Sequence, residues 1–291
     1  MTEVQDLTFE IEAENDPSFA VNSFSLDIPG YEVVGLCGSG ATAEVYVAIQ
    51  NSLSRQVALK VMHSHLIYDE ICVSHFLHEG RINANLSHAN IVPIHNVGEV
   101  DGCHYIAMEY MPWGNLRRHL KEPHTLEWVI SVVIQIADAL AYSHEHGFIH
   151  RDIKPENILF RDNDSVVLSD FGIADDLEHR TAIKSKSTQA TPRYMSPDLL
   201  RSNPIGPSSD IYSLGTVLFE MLAGRPPYDS GTKPYTRKDI VAVQFAHLRD
   251  PIPELPHELQ HLQPIINKML AKHPKDRFYK ASDVAEALSS I

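Results

Sequence analysis

The segment His150-Arg151-Asp152-Ile153-Lys154-Pro155-Glu156-Asn157, followed closely by Asp170-Phe171-Gly172, sets a base, a cation and two hard oxygen ligands in one order. That order suits phosphoryl transfer, which asks little covalent chemistry of a protein. It needs an acceptor hydroxyl held in line and phosphate charge neutralised by Lys and divalent cations. Asp152 can take the hydroxyl's proton, Lys154 can touch the γ-phosphate, and Asn157 with Asp170 can hold Mg²⁺ through oxygen. A lone Asp-Phe-Gly reads as a turn. The joint spacing of HRDxKxxN and DFG is a catalytic signature that chance rarely supplies.

On these residues the chain resembles the eukaryotic-type protein kinases, in particular their bacterial serine/threonine members. The resemblance implies an α+β, bilobal protein kinase fold: a small antiparallel β-sheet lobe with one helix, and a larger, mostly helical lobe. It further implies an acidic extension over residues 1–28, a small lobe over 29–109, a hinge at 110–112 and a large lobe over 113–291.

Upstream, Gly38-Ser39-Gly40-Ala41-Thr42-Ala43-Glu44-Val45 reads as a glycine-rich loop between two strands. Small residues there let backbone N–H groups approach phosphates. Ala43 stands where the third glycine of the family pattern falls, which predicts a stiffer loop. Alone, Gly-x-Gly is a hairpin turn; followed by Val57-Ala58-Leu59-Lys60 it matches the phosphate loop and third strand, with Lys60 as α/β-phosphate ligand. Glu79, on a segment with helical apolar spacing, is the expected partner of Lys60; in isolation it would read as a solvated helix carboxylate. Ser87 to Val92 resembles the turn into the fourth strand.

Tyr105 to Met111 is rich in β-formers and ends at Pro112-Trp113-Gly114, so it reads as a strand running into a linker. By resemblance Met108 is the gatekeeper beside the adenine pocket, and the backbone of Glu109 and Met111 meets adenine. Val45, Ala58 and Leu159 match positions that sandwich the ring, and ordinary core packing is the alternative for each. The resemblance puts His150 beneath Phe171 in a buried stack with Ile94 and Asn83. Polar Asn83 is unusual there and is expected to loosen the Glu79 helix.

Downstream, Thr191-Pro192-Arg193-Tyr194-Met195-Ser196-Pro197-Asp198 resembles the end of an activation segment, with Ala190 for Gly and Asp198 for Glu. The family pairs that carboxylate with an Arg, here Arg277. Asp is one methylene shorter, so a bidentate contact should weaken. Asp210 opens an apolar helical run to Leu222; the resemblance has it brace the catalytic loop, and an N-cap role is the other reading, compatible with the first. Thr181, Ser185, Ser187 and Thr188 lie beside Arg180, Lys184 and Lys186. As activation-loop phosphosites they would face Arg151, and polar loop filler is the alternative. Thr191 is expected to bond Asp152 and Lys154. Lys154 and Thr191 together point to serine/threonine specificity. Glu156 is a weak candidate for reading a basic residue of the substrate.

The 291 residues carry 24 basic against 38 acidic side chains, a net charge of −14, and 43% of them are hydrophobic. This balance argues against nucleic-acid binding and docking on an anionic membrane. Cys37, Cys72 and Cys103 give neither a disulfide framework nor metal spacing, which fits a reducing cytosol and a cytoplasmic location. A redox role for Cys37, beside the glycine-rich loop, is set against simple packing. No run approaches the ~18 apolar residues of a membrane helix. Seventeen histidines raise a metal site, at His144-Glu145-His146 or His63-Ser64-His65, but residues two apart on a helix do not share a face.

The first 54 residues contain no Lys or Arg. Phe9, Ile11 and Ala13 alternate with Glu10, Glu12 and Glu14, which could form an edge strand; a disordered acidic arm is the expectation. The resemblance implies ATP and Mg²⁺ as cofactors, with Mn²⁺ as an alternative ion, protein Ser/Thr hydroxyls as acceptors, and transient homodimers for trans-autophosphorylation. Two alternatives stay open. A nucleotide-binding pseudokinase scaffold conflicts with the intact Lys60, Asp152, Asn157 and Asp170. A small-molecule phosphotransferase of the same fold conflicts with the long activation segment.

Overall fold

The computed structural model describes residues 27–171, 175–176, 192–201, 204–229 and 236–291. Alternating β-branched and aromatic residues make five antiparallel strands, the pattern such side chains favour on a pleated surface. They are β1 (Tyr31–Ser39), β2 (Ala43–Gln50), β3 (Arg55–Met62), β4 (Ile94–Val100) and β5 (Cys103–Glu109), and they pair in the order β1-β2-β3-β5-β4. Between β3 and β4 runs α1 (Glu70–Asn85). Asp69 caps it, its carboxylate accepting from the N–H groups of Ile71 and Cys72 at 3.0 and 3.1 Å.

Helix α1 can lie close on the sheet because Gly80 has no side chain. A Cβ there would stand 2.9 Å from Val97 Cγ2 and 3.2 Å from Ile106 Cδ1. That approach brings the neighbouring Glu79 to β3.

The mostly helical part follows: α2 (Leu116–His119), α3 (Leu126–Glu145), the short strands β6 (Phe148–Ile149), β7 (Ile158–Phe160), β8 (Val166–Leu168) and β9 (Asp175–Asp176), then α4 (Pro197–Leu200), α5 (Pro207–Ala223), α6 (Arg237–Arg249), α7 (Gln263–Met269) and α8 (Ala281–Ser289). The core here is built on α3 and α5. Every residue of α5 from Ser209 to Glu220 is buried. Along α3, Val129, Val132, Val133, Ile136 and Leu140 repeat at helical spacing and face that core.

Among the described residues α3 is the helix long and apolar enough, by length and mean hydropathy, to cross a membrane. It contains no uninterrupted apolar run of that length, and its buried face packs in the same core as α5 and α8. The expected small-lobe boundary at 29 leaves out Ile28, which bridges to Tyr31 and is buried against Val57, Leu59 and Tyr105. Most of the acidic arm, including the alternation from Phe9 to Glu14, lies outside the described residues.

Candidate active site

Strand β3 carries Lys60 at the register of Val45 on β2 and Ile106 on β5. Its ammonium donates to Glu79 Oε1 at 2.5 Å and to Asp170 Oδ1 at 2.7 Å. Two carboxylates therefore compete for one cation. Burial works to lower the Lys60 proton affinity, and the charges of Asp170 and Glu79 outweigh it and push it up. Burial likewise works against the Asp170 carboxylate, but Lys60 holds it down to about 2. Glu79, desolvated and facing Asp170, is pushed up to about 7 in spite of Lys60. Asp170 is thus firmly anionic at neutral pH, and it presents an oxygen that Lys60 does not engage.

Lys154 and Asn157 converge on Asp152. Lys154 Nζ donates to Asp152 Oδ2 at 2.6 Å, while Asn157 Nδ2 donates to Asp152 Oδ2 at 3.1 Å and to its backbone carbonyl at 2.8 Å. Asn157 spends its N–H donors on Asp152, which leaves its Oδ1 as an oxygen ligand. The Ser169 N–H donates to the Asn157 carbonyl at 2.9 Å, tying this loop to the segment that carries Asp170.

Arg151 and Asp170 both adopt left-handed backbone conformations, with φ of 68° and 60°. Non-glycine residues persist there only where surrounding contacts over-determine them. At Arg151 the contacts come from Asp210, which accepts from the N–H groups of His150 and Arg151 at 2.8 Å each. Burial opposes charge on Asp210, but the bond from His144 Nε2 at 2.8 Å and these N–H donors hold its carboxyl below the ordinary range.

The N-cap reading of Asp210 is therefore wrong. Gly206 occupies the cap of α5, and Asp210 sits within the helix with its carboxylate turned to the loop. Sequence reasoning weighed His144 only as a metal candidate and missed this partnership across 66 residues. His150 is buried, kept neutral by desolvation, with its ring 4.5 Å from that of Phe171. Asn83 is also buried, and its Oδ1 has no partner among the described residues.

Beside these charges lies an apolar cluster. Ala58, Met108, Met111, Val92 and Val167 pack with Val45, Ile94, Tyr110 and Leu159. Ala58 and Met108 are direct cross-strand partners. The Glu109 side chain is held away from the cluster by a two-pronged ion pair to Arg161, at 2.7 and 3.0 Å. Gly38 and Ser39 end β1, and the turn at Gly40 closes with its N–H on the Ala43 carbonyl at 2.8 Å. His63, read in the sequence only as a metal candidate, tethers this loop: its N–H reaches the Thr42 carbonyl at 3.0 Å and its Nε2 the Gly40 carbonyl at 2.9 Å. Cys37 is exposed, and partial desolvation pushes its thiol up, the direction that disfavours a reactive thiolate.

The expected Asp198–Arg277 pair forms, fully buried, and its geometry reflects the shorter side chain. Arg277 Nη1 donates to Asp198 Oδ2 at 2.5 Å, while Asp198 Oδ1 has no partner among the described residues. The remaining guanidinium donors reach the carbonyls of Ala271, Ser208 and Lys272. Removing one member of a buried pair strands the other charge. Arg277→Ala should therefore cost about 3–5 kcal/mol, read as a lower urea midpoint with an unchanged slope. A cost within about 0.5 kcal/mol would mean that the pair is not a tie.

Thr181, Ser185, Ser187, Thr188 and Thr191 lie outside the described residues, as does Gly172.

A family model described as protein kinase domain matches residues 31–288. The chain belongs to the protein kinase family. It is 36% identical over 269 residues to a probable serine/threonine-protein kinase of Clostridium acetobutylicum, covering 90% of this chain and 40% of that protein. Serine/threonine-protein kinase PrkC of Bacillus subtilis is 34% identical over 87% of this chain and 39% of its own length. For PknB of Mycobacterium leprae the figures are 35%, 90% and 43%. The chain thus spans about two fifths of the curated relatives it matches. The crystal structure of the Mycobacterium tuberculosis PknI kinase domain superposes with a TM-score of 0.69 at 27% identity, covering 90% of this chain and 95% of that one. The bilobal kinase fold expected from the motifs is the fold observed.

The kinase family generally uses ATP and Mg²⁺, and the residues present fit both. An ionised Asp170 and the Asn157 Oδ1 are hard oxygen donors of the type Mg²⁺ takes. The apolar cluster between β2, β3, β5 and β7 suits a flat aromatic ring.

Proposed function

We propose that this chain is an ATP- and Mg²⁺-dependent serine/threonine protein kinase, with residues 29–109, extended by the buried Ile28, and 113–291 as its lobes and 110–112 as the hinge. The observation that carries the reading is the convergence of Lys154 and Asn157 on Asp152, joined through Ser169 to the Lys60–Glu79–Asp170 ion triplet. Asp152 is the base that takes the acceptor proton. Lys154 faces the γ-phosphate and steadies Asp152. Lys60, fixed by Glu79, meets the α- and β-phosphates, and the backbone of Gly38, Ser39 and Gly40 covers them. Val45, Ala58, Met108 and Leu159 enclose adenine, with the backbone of Glu109 and Met111 on its edge.

Asn157 and Asp170 would hold Mg²⁺, or Mn²⁺, which when bound neutralises phosphate charge. Serine/threonine preference is part of the same reading, supported by Lys154 and by the serine/threonine-protein kinases this chain is similar to; a cytoplasmic location is proposed with it. The pseudokinase alternative has no feature in its favour: Lys60, Asp152, Asn157 and Asp170 are all present.

Activation is assigned to trans-autophosphorylation in transient homodimers, on at least one of Thr181, Ser185, Ser187 and Thr188. A phosphate adds about −1.5 to −2 charges and three acceptors, enough to order a loop against Arg151. The purified chain incubated with radiolabelled ATP and Mg²⁺ should label itself on Ser or Thr. Phosphopeptide mapping should find label between residues 181 and 188. Replacing all four residues by Ala should lower activity several-fold, and a quadruple variant as active as wild type would remove the loop as the switch. No label on itself or on any protein acceptor would leave the scaffold reading instead.

A further inference from the structure

Arg117 on α2 is the centre of a charge cluster that phosphoryl transfer does not require. Its Nε donates to Glu156 Oε1 at 2.9 Å and its Nη1 to Glu220 Oε1 at 2.6 Å. Its Nη2 donates to the Tyr194 hydroxyl, which donates in turn to Glu220 Oε2 at 2.6 Å. Four separate parts of the chain meet here: α2, the turn after Asp152, the residues before α4, and α5. Glu220 is 5% exposed. The Arg117 and Glu156 side chains are 33% and 42% exposed, so the cluster opens to the surface on its Glu156 side.

The position matters because Glu156 belongs to the same turn, Pro155–Asn157, whose Asn157 is bonded to Asp152. An acceptor peptide that brings its hydroxyl to Asp152 must pass close to Glu156. An extended chain advances about 3.3 Å per residue, so the passing residue is a near neighbour of the acceptor. Two carboxylates so placed are what would recognise a basic side chain of a substrate by charge-assisted hydrogen bonds. Here the guanidinium that satisfies them is supplied by the protein.

We infer that Arg117 is an internal stand-in for a substrate cation, and that it makes this kinase indifferent to basic residues flanking the acceptor. The inference rests on the protein kinase reading above. It assigns Arg117 as a specificity-determining residue: it turns a carboxylate pair that would select Arg or Lys into a filled site. Which flanking residues the enzyme accepts is then decided elsewhere on the surface.

The test uses a neutral single-serine peptide and a set in which one Arg is placed, in turn, within about four residues of the serine. Wild type should phosphorylate the whole set with kcat/KM within about twofold of the neutral peptide. Arg117→Ala should prefer at least one Arg-bearing peptide by about tenfold, the size of one charge-assisted hydrogen bond. Adding Glu156→Gln to that variant should abolish the gain. Arg117→Gln is read in parallel in case the Ala variant does not fold, together with peptide Kd by fluorescence anisotropy.

A wild type that already prefers Arg overturns the inference and leaves the kinase reading intact. So does a folded variant without the gained preference in rate or Kd. Failure of both variants to fold beside an active wild type would make Arg117 a structural tie and overturn it as well. A wild type that phosphorylates neither the peptides nor itself overturns the kinase reading, and this inference with it.

Discussion

Asp152→Asn is expected to give a folded protein that still binds ATP but transfers phosphate ~10²–10⁴-fold more slowly, the contribution of a positioned general base. The substitution is nearly isosteric, and the amide oxygen can keep the bonds from Lys154 Nζ at 2.6 Å and Asn157 Nδ2 at 3.1 Å. What it loses is the proton acceptor. The Asp152 side chain is 22% exposed, open enough to receive a hydroxyl and enclosed enough to be oriented. Initial rates with radiolabelled ATP measure the loss, and titration with a fluorescent nucleotide checks that binding survives. Unchanged rates would end the assignment of Asp152. A fall in rate matched by a fall in nucleotide affinity would instead mean that the loop had moved.

The parts of this site that the sequence made legible are those where the chemistry is encoded by residues close together in the chain. Asp152, Lys154 and Asn157 lie within one turn, and their mutual bonds follow from that spacing. Lys60 and Glu79 are 19 residues apart, and their pairing is legible only through the order of motifs in the family that the chain resembles. Val45, Ala58 and Leu159, open to a core or a pocket reading in the sequence, pack in one apolar cluster.

What stayed hidden was carried by tertiary contacts with no local mark. Asp210 near a helix start reads as a cap, because capping is local. Its bonds to the N–H groups of His150 and Arg151 depend on α5 passing beneath the loop that carries them, which no spacing rule states. The same holds for His144, for the His63 tether on Gly40, and for the 103 residues separating Arg117 from Glu220. Gly80 is another case: its lack of a side chain has meaning only once Val97 and Ile106 are known to press on it.

Replacing Asp170 should have the larger effect on catalysis. Asp170→Ala is expected to lower phosphoryl transfer by ~10³-fold or more, the equivalent of several kcal/mol of lost charge stabilisation. Asp170 differs from Glu79 in what burial and charge do to it. Both compete for Lys60, but Asp170 is held down to about 2 while Glu79 is pushed up to about 7. Only Asp170 is therefore fully ionised near neutrality, and its side chain is the more open of the two, at 40% against 10% exposed. An anion so disposed suits a divalent cation and needs to release no proton to receive one. Its loss should weaken Mg-ATP much more than metal-free nucleotide, since Lys60 keeps Glu79 as a partner.

Because Asp170 sits at φ 60°, Ala there adds backbone strain. Asp170→Asn separates the two effects, since Asn tolerates that conformation and keeps an oxygen but not the charge. Paired calorimetric titrations with and without Mg²⁺ on both variants decide the matter. A selective loss of Mg-ATP affinity in both assigns the metal to Asp170, and equal losses in the two titrations would count against it.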